Sequence, residues 1–520
     1  MDMNKIYVLI VLLALTALSC KKSFIELAPE DQVSGATFYK TEAQFRQALA
    51  GAYVPLRDLL DNDFYTGEMR SDNTHYEFYQ INRGTAYTYR ENIADFTDDP
   101  TNSYTNAIYF HCYTGIARVN TILGHIDGAS LSETAKDDIA GQAKFLRAFN
   151  YFKLVRYFGG VPLFLEEVTT ADEAFLPRAT AEEVYAQIIA DAQDAIARLE
   201  APAFSNDQQP GQATKGAAAM LLAEVYMTQK KYAEAEALLL SLNGMGYDLL
   251  PDYADVFSTA HKNSRESIFE VQYMQGLQEG QQSNFIYRFI PRTSNTTVLT
   301  GLRYNNSSIG GWNTPTQDMI NAYEAGDTRL DASIGMAEGT YNTSNMFTLS
   351  ANKSIIGYTP EPGKTGVPYI KKYLHPHTDP NNTDDNWPIY RYADALLLLA
   401  EAQNEQGKGG AALAPLNRVR ARAFGNNDHD IVTTDQAALR DIIAHERRVE
   451  LAFENHRWHD LVRTGKAIEV MNAYGAALKQ QYDYLSPSTY QVNANRLLLP
   501  IPQSERELNP DLTQNDGYPQ

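Results

Sequence analysis

The stretch KGAAAMLLAEVYMTQKKYAEAEALLLSL, from Lys215 to Leu242, decides the fold class. It reads as a helical hairpin whose packing positions are Leu222, Ala223 and Tyr226, then Ala235, Leu239 and Leu242. Small residues let paired helices approach closely, and large ones fill the groove between them. The same offsets return between Tyr392 and Val419, through Leu399, Ala400, Gln403, Ala412, Leu416 and Val419. Gln403 there takes the place of the tyrosine.

These offsets are the packing positions of a tetratricopeptide repeat. A third Ala-x-x-Tyr pair, Ala148 and Tyr151, lies in Gln142 to Tyr157, where Phe145, Ala148, Phe149, Phe152 and Val155 share one apolar helix face. Gly159, Gly160 and Pro162 end that helix, and its partner, Ala181 to Leu199, follows only after a long insertion. Pairs so degenerate and scattered predict a mostly α scaffold with large loop-rich insertions rather than a regular solenoid. Sixteen of the 25 residues from Arg292 to Thr316 are Ser, Thr, Asn or Gly, which predicts loop. Asp61 to Pro100 also reads as irregular, with Tyr65, Tyr76, Tyr79, Tyr87 and Tyr89 set among polar residues. Long loops inside a compact domain are usually functional, so the ligand is expected at loops spanning about 61–110 and 280–390.

The N-terminus reads as an address. Lys5 precedes an apolar run from Ile6 to Leu18, a secretory signal pattern. Its thirteen residues fall short of the roughly 20 a helix needs to cross a bilayer. Ala17-Leu18-Ser19-Cys20 resembles a bacterial lipobox, with its leucine one place off the common position. That divides the chain into a signal peptide at 1–19, a lipid-bearing Cys20 with a tether at 20–34, and one domain at 35–520. Each buried lipid methylene contributes about 0.8 kcal/mol, so several chains anchor firmly. Lys21 and Lys22 follow the cysteine, without an acidic cluster, and do not by themselves fix the membrane face.

Composition narrows the partners. Among 520 residues there are 33 Tyr, 21 Phe and 3 Trp, and rings with a polar handle suit surfaces that are half apolar and half wet. A net charge of −20 without a Lys/Arg stripe argues against nucleic acid. Two cysteines, Cys20 and Cys112, allow no disulfide framework and no cysteine-based zinc cluster once Cys20 is acylated.

Several long stretches together resemble the SusD/RagB family of Bacteroidetes lipoproteins. They run in family order: Lys144 to Phe152, Val155 to Leu163, Thr214 to Tyr226, Tyr390 to Ala402, Asn417 to Ala423, His445 to Glu454 with His456-Arg457-Trp458, and Pro500 to Tyr518. Asn455 stands where the family commonly has Gly, a conservative change at a left-handed position. The resemblance implies a SusD-like fold, cell-surface exposure on the outer membrane, and a SusC-like TonB-dependent transporter as partner. It implies ligand capture and transfer without covalent chemistry, hence no enzyme and no cofactor. Glycans are the family's common ligands, and peptides a known alternative. A secreted glycan-degrading enzyme is a more distant one.

A glycan binder needs aromatic platforms beside polar side chains. Trp312, in Gly310-Gly311-Trp312-Asn313, is expected to be such a platform, with Tyr287, Arg303 and Tyr304 nearby. Asp72 and Asn73, which resemble a family segment near the ligand face, lead into Tyr76, Tyr79 and Arg83. These two loops are expected to converge on the ligand. Other candidates read as structural. His445-Glu446 lacks the second zinc-protease histidine, since position 449 is Val449. His456 and His459 are expected in helix-end hydrogen bonds rather than on a metal. Arg447, Arg448, Glu450 and Glu454 read as a charged helix face with ion pairs, and Asp379 to Asn386 as a solvated turn. No nucleophile motif, phosphate loop or dinucleotide fingerprint occurs.

Overall fold

The computed structural model of the protein describes residues 38–80, 83–276, 280–343 and 346–519. The expected signal peptide, lipid-bearing Cys20 and tether lie outside the described residues. Among those described, twelve helices have ten or more residues: α1 (Glu42–Tyr53), α2 (Pro55–Phe64), α3 (Thr85–Asp95), α4 (Ser103–Ile126), α5 (Glu133–Phe158), α6 (Ala181–Arg198), α7 (Lys215–Thr228), α8 (Tyr232–Leu242), α9 (Tyr392–Glu405), α10 (Gly409–Phe424), α11 (Gln436–Glu450) and α12 (Ala467–Gln481). Many open on a short polar side chain that accepts from a free first-turn amide. Thr41 and Thr180 close reciprocal capping boxes with Gln44 and Glu183, and Ser132, Thr214 and Asp435 cap α5, α7 and α11.

The helices stack in chain order, α4 on α5, α5 on α6, α6 on α7, α7 on α8, and α8 on α9, with α10 and α11 against α9. Both expected hairpins are present. Leu222, Ala223, Ala235, Leu239 and Leu242 are buried in the first, and Leu399, Ala400, Ala412, Leu416 and Val419 in the second. Gln403, in the tyrosine's place, donates to Glu236 of the first hairpin at 3.2 Å. The substitution thus ties the two pairs together. α5 differs from its expected single apolar face. It is buried on almost every side, Gln142, Arg147, Asn150 and Lys153 included, because helices and the Val161–Glu166 segment enclose it. Its polar residues are matched within: Arg147 forks onto Asp191 at 2.7 and 2.8 Å, and Lys153 meets Asp63 at 2.6 Å.

The insertions carry the strands, β1 (Thr74–His75), β2 (Ser267–Val271), β3 (Thr314–Pro315), β4 (Ile334–Tyr341), β5 (Phe347–Ser354), β6 (Thr365–Ile370) and β7 (Trp387–Arg391). β4 lies between β5 and β6 in an antiparallel sheet, β2 pairs with β7, and β1 with β3. Asp61–Pro100 is less irregular than its composition predicts. It contains the end of α2, a π-helical turn at Tyr65–Met69, and α3. Arg292–Thr316 is mostly loop, with a short helical turn at Thr297–Thr300.

Glu446, Arg447 and Glu450 of α11 are not on a solvated face. Glu446 and Glu450 are fully buried in a network with Arg329, Arg391, Arg420 and Arg422. Arg391 reaches Glu266, Glu450 and Glu454 at 2.7–2.9 Å. The carboxylates hold cations from three segments around one point. That serves the role expected of them, joining elements, but in the interior.

Candidate ligand-binding site

α2 runs into the π-helical turn at Tyr65–Met69, and the chain then passes inward. The Arg70 guanidinium pairs with Asp98 at 2.8 Å and lies 4.2 Å from the Phe96 ring centroid. Asp72 accepts two hydrogen bonds from Arg457, at 2.7 and 2.8 Å. Asn73 donates to Glu68 and accepts from Arg448, each at 2.9 Å. Both were expected at the ligand, yet both are buried with these bonds committed to protein. They fasten the loop to α11 and to the short helix Arg457–Arg463. Tyr76 is buried as well and donates to Asp95 at 2.9 Å.

The second loop meets the first, as expected of the two loops. Thr74 pairs with Pro315 and His75 with Thr314. The Glu77 amide donates to the Gly311 carbonyl at 2.8 Å, and the Arg292 amide to the Glu77 carboxylate at 3.1 Å. Gly311 has φ +82°, and a Cβ there would lie 2.8 Å from Glu77 Oε2, so only glycine fits this crossing without strain.

Trp312 is not the exposed platform expected. It is 0% exposed, edge-on to Tyr65 at 5.8 Å and stacked on Tyr87 at 6.0 Å. Arg90 and Arg292 lie 4.8 and 5.4 Å from its centroid. A polar loop still buries a large apolar side chain when it folds onto a helix, and the two preceding glycines permit the approach. Trp312 is the pin of the junction. Tyr287 is also fully buried, its hydroxyl 2.7 Å from His377 Nε2. It meets half-buried Tyr304 edge-on at 5.2 Å in a second apolar cluster beside the β4–β6 sheet, with Arg303 exposed next to it.

What faces outward at the junction is a set of other rings. Phe78, Tyr79, Tyr87, Tyr482 and Tyr484 are half-buried, and Tyr341 is 37% exposed. Phe78 stacks on Tyr484 at 3.9 Å with planes 2° apart, and Tyr484 on Tyr482 at 5.2 Å. Arg83 pairs with Glu91 and lies over Phe78 at 4.2 Å. Tyr341 donates to Glu77 at 2.8 Å, and Arg292 lies 5.0 Å from the Tyr79 ring. Of the residues expected here, the structure brings Tyr79, Arg83 and the underlying Trp312 together. Phe78, Tyr341, Tyr482 and Tyr484 were missed. The ring-acid-ring run Tyr482-Asp483-Tyr484 was a signal, but its partners lie some 400 positions away, as His75 to Tyr484 illustrates with |i−j| of 409.

The floor carries less negative charge than its acids imply. Burial pushes the Glu91 and Asp95 carboxyls up to about 7, and raises Glu77 too. Burial also drops His75 to about 3, so a neutral ring meets the Tyr484 hydroxyl at 2.9 Å. Stacked rings and hydroxyls, with the Arg83 and Arg292 guanidiniums beside them, suit a ligand with apolar faces and many hydroxyls.

The remaining candidates resolve structurally. Glu446, after His445, is committed to Arg329 and Arg420. His459 is buried against Tyr157 at 4.8 Å, its Nε2 without a hydrogen-bond partner, so the expected helix-end bond is not made there. Asp379–Asn386 is no free turn: Asn382 and Asp384 accept from the Gly276 and Gln275 amides, and Asp385 is buried against His375. Asn455 has the left-handed φ of +68° expected of it, in the turn before Arg457–Arg463. Among the described residues, no group of three or more His, Cys, Asp or Glu is arranged to hold a metal.

Comparison with known proteins decides the family. Residues 265–518 match the model described as "SusD family", and residues 23–227 one described as "Starch-binding associating with outer membrane". The chain belongs to the SusD/RagB family. SusD-like protein P2 of Formosa agariphila is 29% identical over 99% of this chain and 100% of its own. The starch-binding protein SusD of Bacteroides thetaiotaomicron is 25% identical over 81% of this chain and 79% of its own. A solved laminarin-binding SusD-like protein is 27% identical and superposes with a TM-score of 0.73 over 92% of this chain and all of its own. The SusD-like fold, with its tetratricopeptide-like helix pairs, is thus shared at both levels.

Proposed function

We propose that this SusD-like protein is a lipid-anchored, outer-membrane glycan-binding protein that passes its ligand to a SusC-like TonB-dependent transporter without turning it over. The observation that carries the reading is the outward aromatic surface of Phe78, Tyr79, Tyr341, Tyr482 and Tyr484. Sugar C–H groups pack against the exposed parts of such rings, while tyrosine hydroxyls and Arg83 reach the sugar hydroxyls. Relatives named for starch and laminarin binding, and for association with the outer membrane, support the ligand class and location. Anchoring would rest on a lipid at Cys20 in Ala17-Leu18-Ser19-Cys20.

The test is calorimetric titration of chain starting at Ser23 with a panel of polysaccharides, laminarin and starch included, and a parallel assay for new reducing ends. We expect saturable binding to one glycan class with no cleavage. Cleavage would make the protein an enzyme, and silence toward glycans with binding to peptides would replace the ligand class.

A further inference from the structure

A second surface, far from the rings in sequence, is a groove of about 500 Å³ between α4, the segment after Pro162 and the short helix Gln503–Leu508. Phe110, Val168, Phe175 and Leu508 line it and are 44–69% exposed. They are four of the twelve exposed large hydrophobic residues among those described. Isolated exposed apolar residues are ordinary, whereas several gathered along one groove mark a surface that something covers.

The described chain begins beside this groove. Tyr39 stacks on His125 at 4.6 Å and 10°. His125 lies 3.5 Å from Glu167, and Glu167 lines one end of the groove with Thr121. The residues preceding Phe38 include one apolar cluster close to Cys20, Phe24-Ile25-Glu26-Leu27. From Thr121 to Phe110 the groove follows about 17 Å of α4 at helical rise. The eleven steps from Leu27 to Phe38 reach up to about 36 Å, so the cluster can seat anywhere along it. Charge matches as well: Glu166, Glu167 and Glu505 line the groove, and Lys21 and Lys22 precede the cluster. The same carboxylates disfavour an anionic lipid surface as occupant.

We infer that the tether's Phe24, Ile25 and Leu27 dock in this groove. The docked tether leaves only Cys20 to Ser23 free, about 13 Å at full stretch. A lipid on Cys20 would then hold the groove side of the molecule toward the membrane. The inference goes beyond glycan binding, and its test is independent of any ligand.

The experiment measures maleimide labelling of Phe175→Cys in chain from residue 20 carrying Cys20→Ser, with Leu508→Cys as a second reporter. Native Cys112 is buried and stays silent. Labelling should be about tenfold slower than in the same chain bearing Phe24→Ser, Ile25→Ser and Leu27→Ser, as a closed contact opening at about 1.4 kcal/mol gives. Matching melting curves would show that the substitutions leave the fold intact. Equal rates at both reporters would overturn the proposal. Protection that appears only on adding phosphatidylethanolamine vesicles would overturn it too, by making the membrane the occupant.

Discussion

Trp312 and Tyr484 divide the work of the junction between them. Trp312 is enclosed by Tyr65, Tyr87, Arg90 and Arg292, so Trp312→Ala should cost about 3–5 kcal/mol of stability. Tyr484 is half-buried at the surface, and Tyr484→Ala should weaken glycan binding about tenfold while costing about 1–3 kcal/mol of stability, less than Trp312→Ala, since His75 loses its hydroxyl partner. Denaturant unfolding alongside titration separates the two, and the reverse pattern would contradict the assignment. Asp95 gives a pH signature. Its carboxyl is pushed up to about 7 by burial, so the folded state holds a proton that the unfolded state releases near 4. This favours folding fully below about pH 4 and is lost as pH rises through 7. Asp95→Asn, which cannot ionise, should gain on the order of 1–3 kcal/mol over wild type between pH 5 and pH 8, read by melting curves at each pH. An unchanged difference would show that Asp95 does not titrate in that window.

At the level of elements, α11 and the segments around it depend on a buried charge network. Arg391→Ala would take one buried cation from each of Glu266, Glu450 and Glu454, leaving three carboxylates to Arg422, Arg329 and Lys372, at a cost of about 3–5 kcal/mol in chemical denaturation. Glu450 is held down to about 2 by Arg422, Arg391 and Arg329, against desolvation. Its contribution is present above pH 4.5 and is lost as pH falls toward 2, so acid should unfold the wild type more steeply than Glu450→Gln. Helices α5 to α10 were legible in the sequence, because their periodicity is local; α1, α2, α4 and α12 were not singled out there. The α11 charges were legible as ion pairs but not as buried ones, since their cations come from Arg329, Arg391, Arg420 and Arg422 on other segments. α3 was read as irregular because its apolar residues are few and its tyrosines looked like loop rings. Its burial depends on the later Trp312 loop.

For the whole molecule, the helical scaffold was readable from spacing, and the meeting of two distant loops was expected from the family resemblance of one of them. Which side of that meeting faces solvent was not readable. The sequence marks Trp312 as rare and set in polar residues, and those features describe a loop anchor as well as a platform. Tyr482 and Tyr484 become neighbours of Phe78 only after the C-terminal segment packs back. The central claim is that a glycan lies on this aromatic junction, and a crystal structure of the protein with a bound oligosaccharide tests it most directly. The account predicts sugar rings in van der Waals contact, about 4 Å, with Tyr484, Phe78 or Tyr341, and Trp312 still buried beneath them. A sugar seated elsewhere, with these rings untouched, would contradict it.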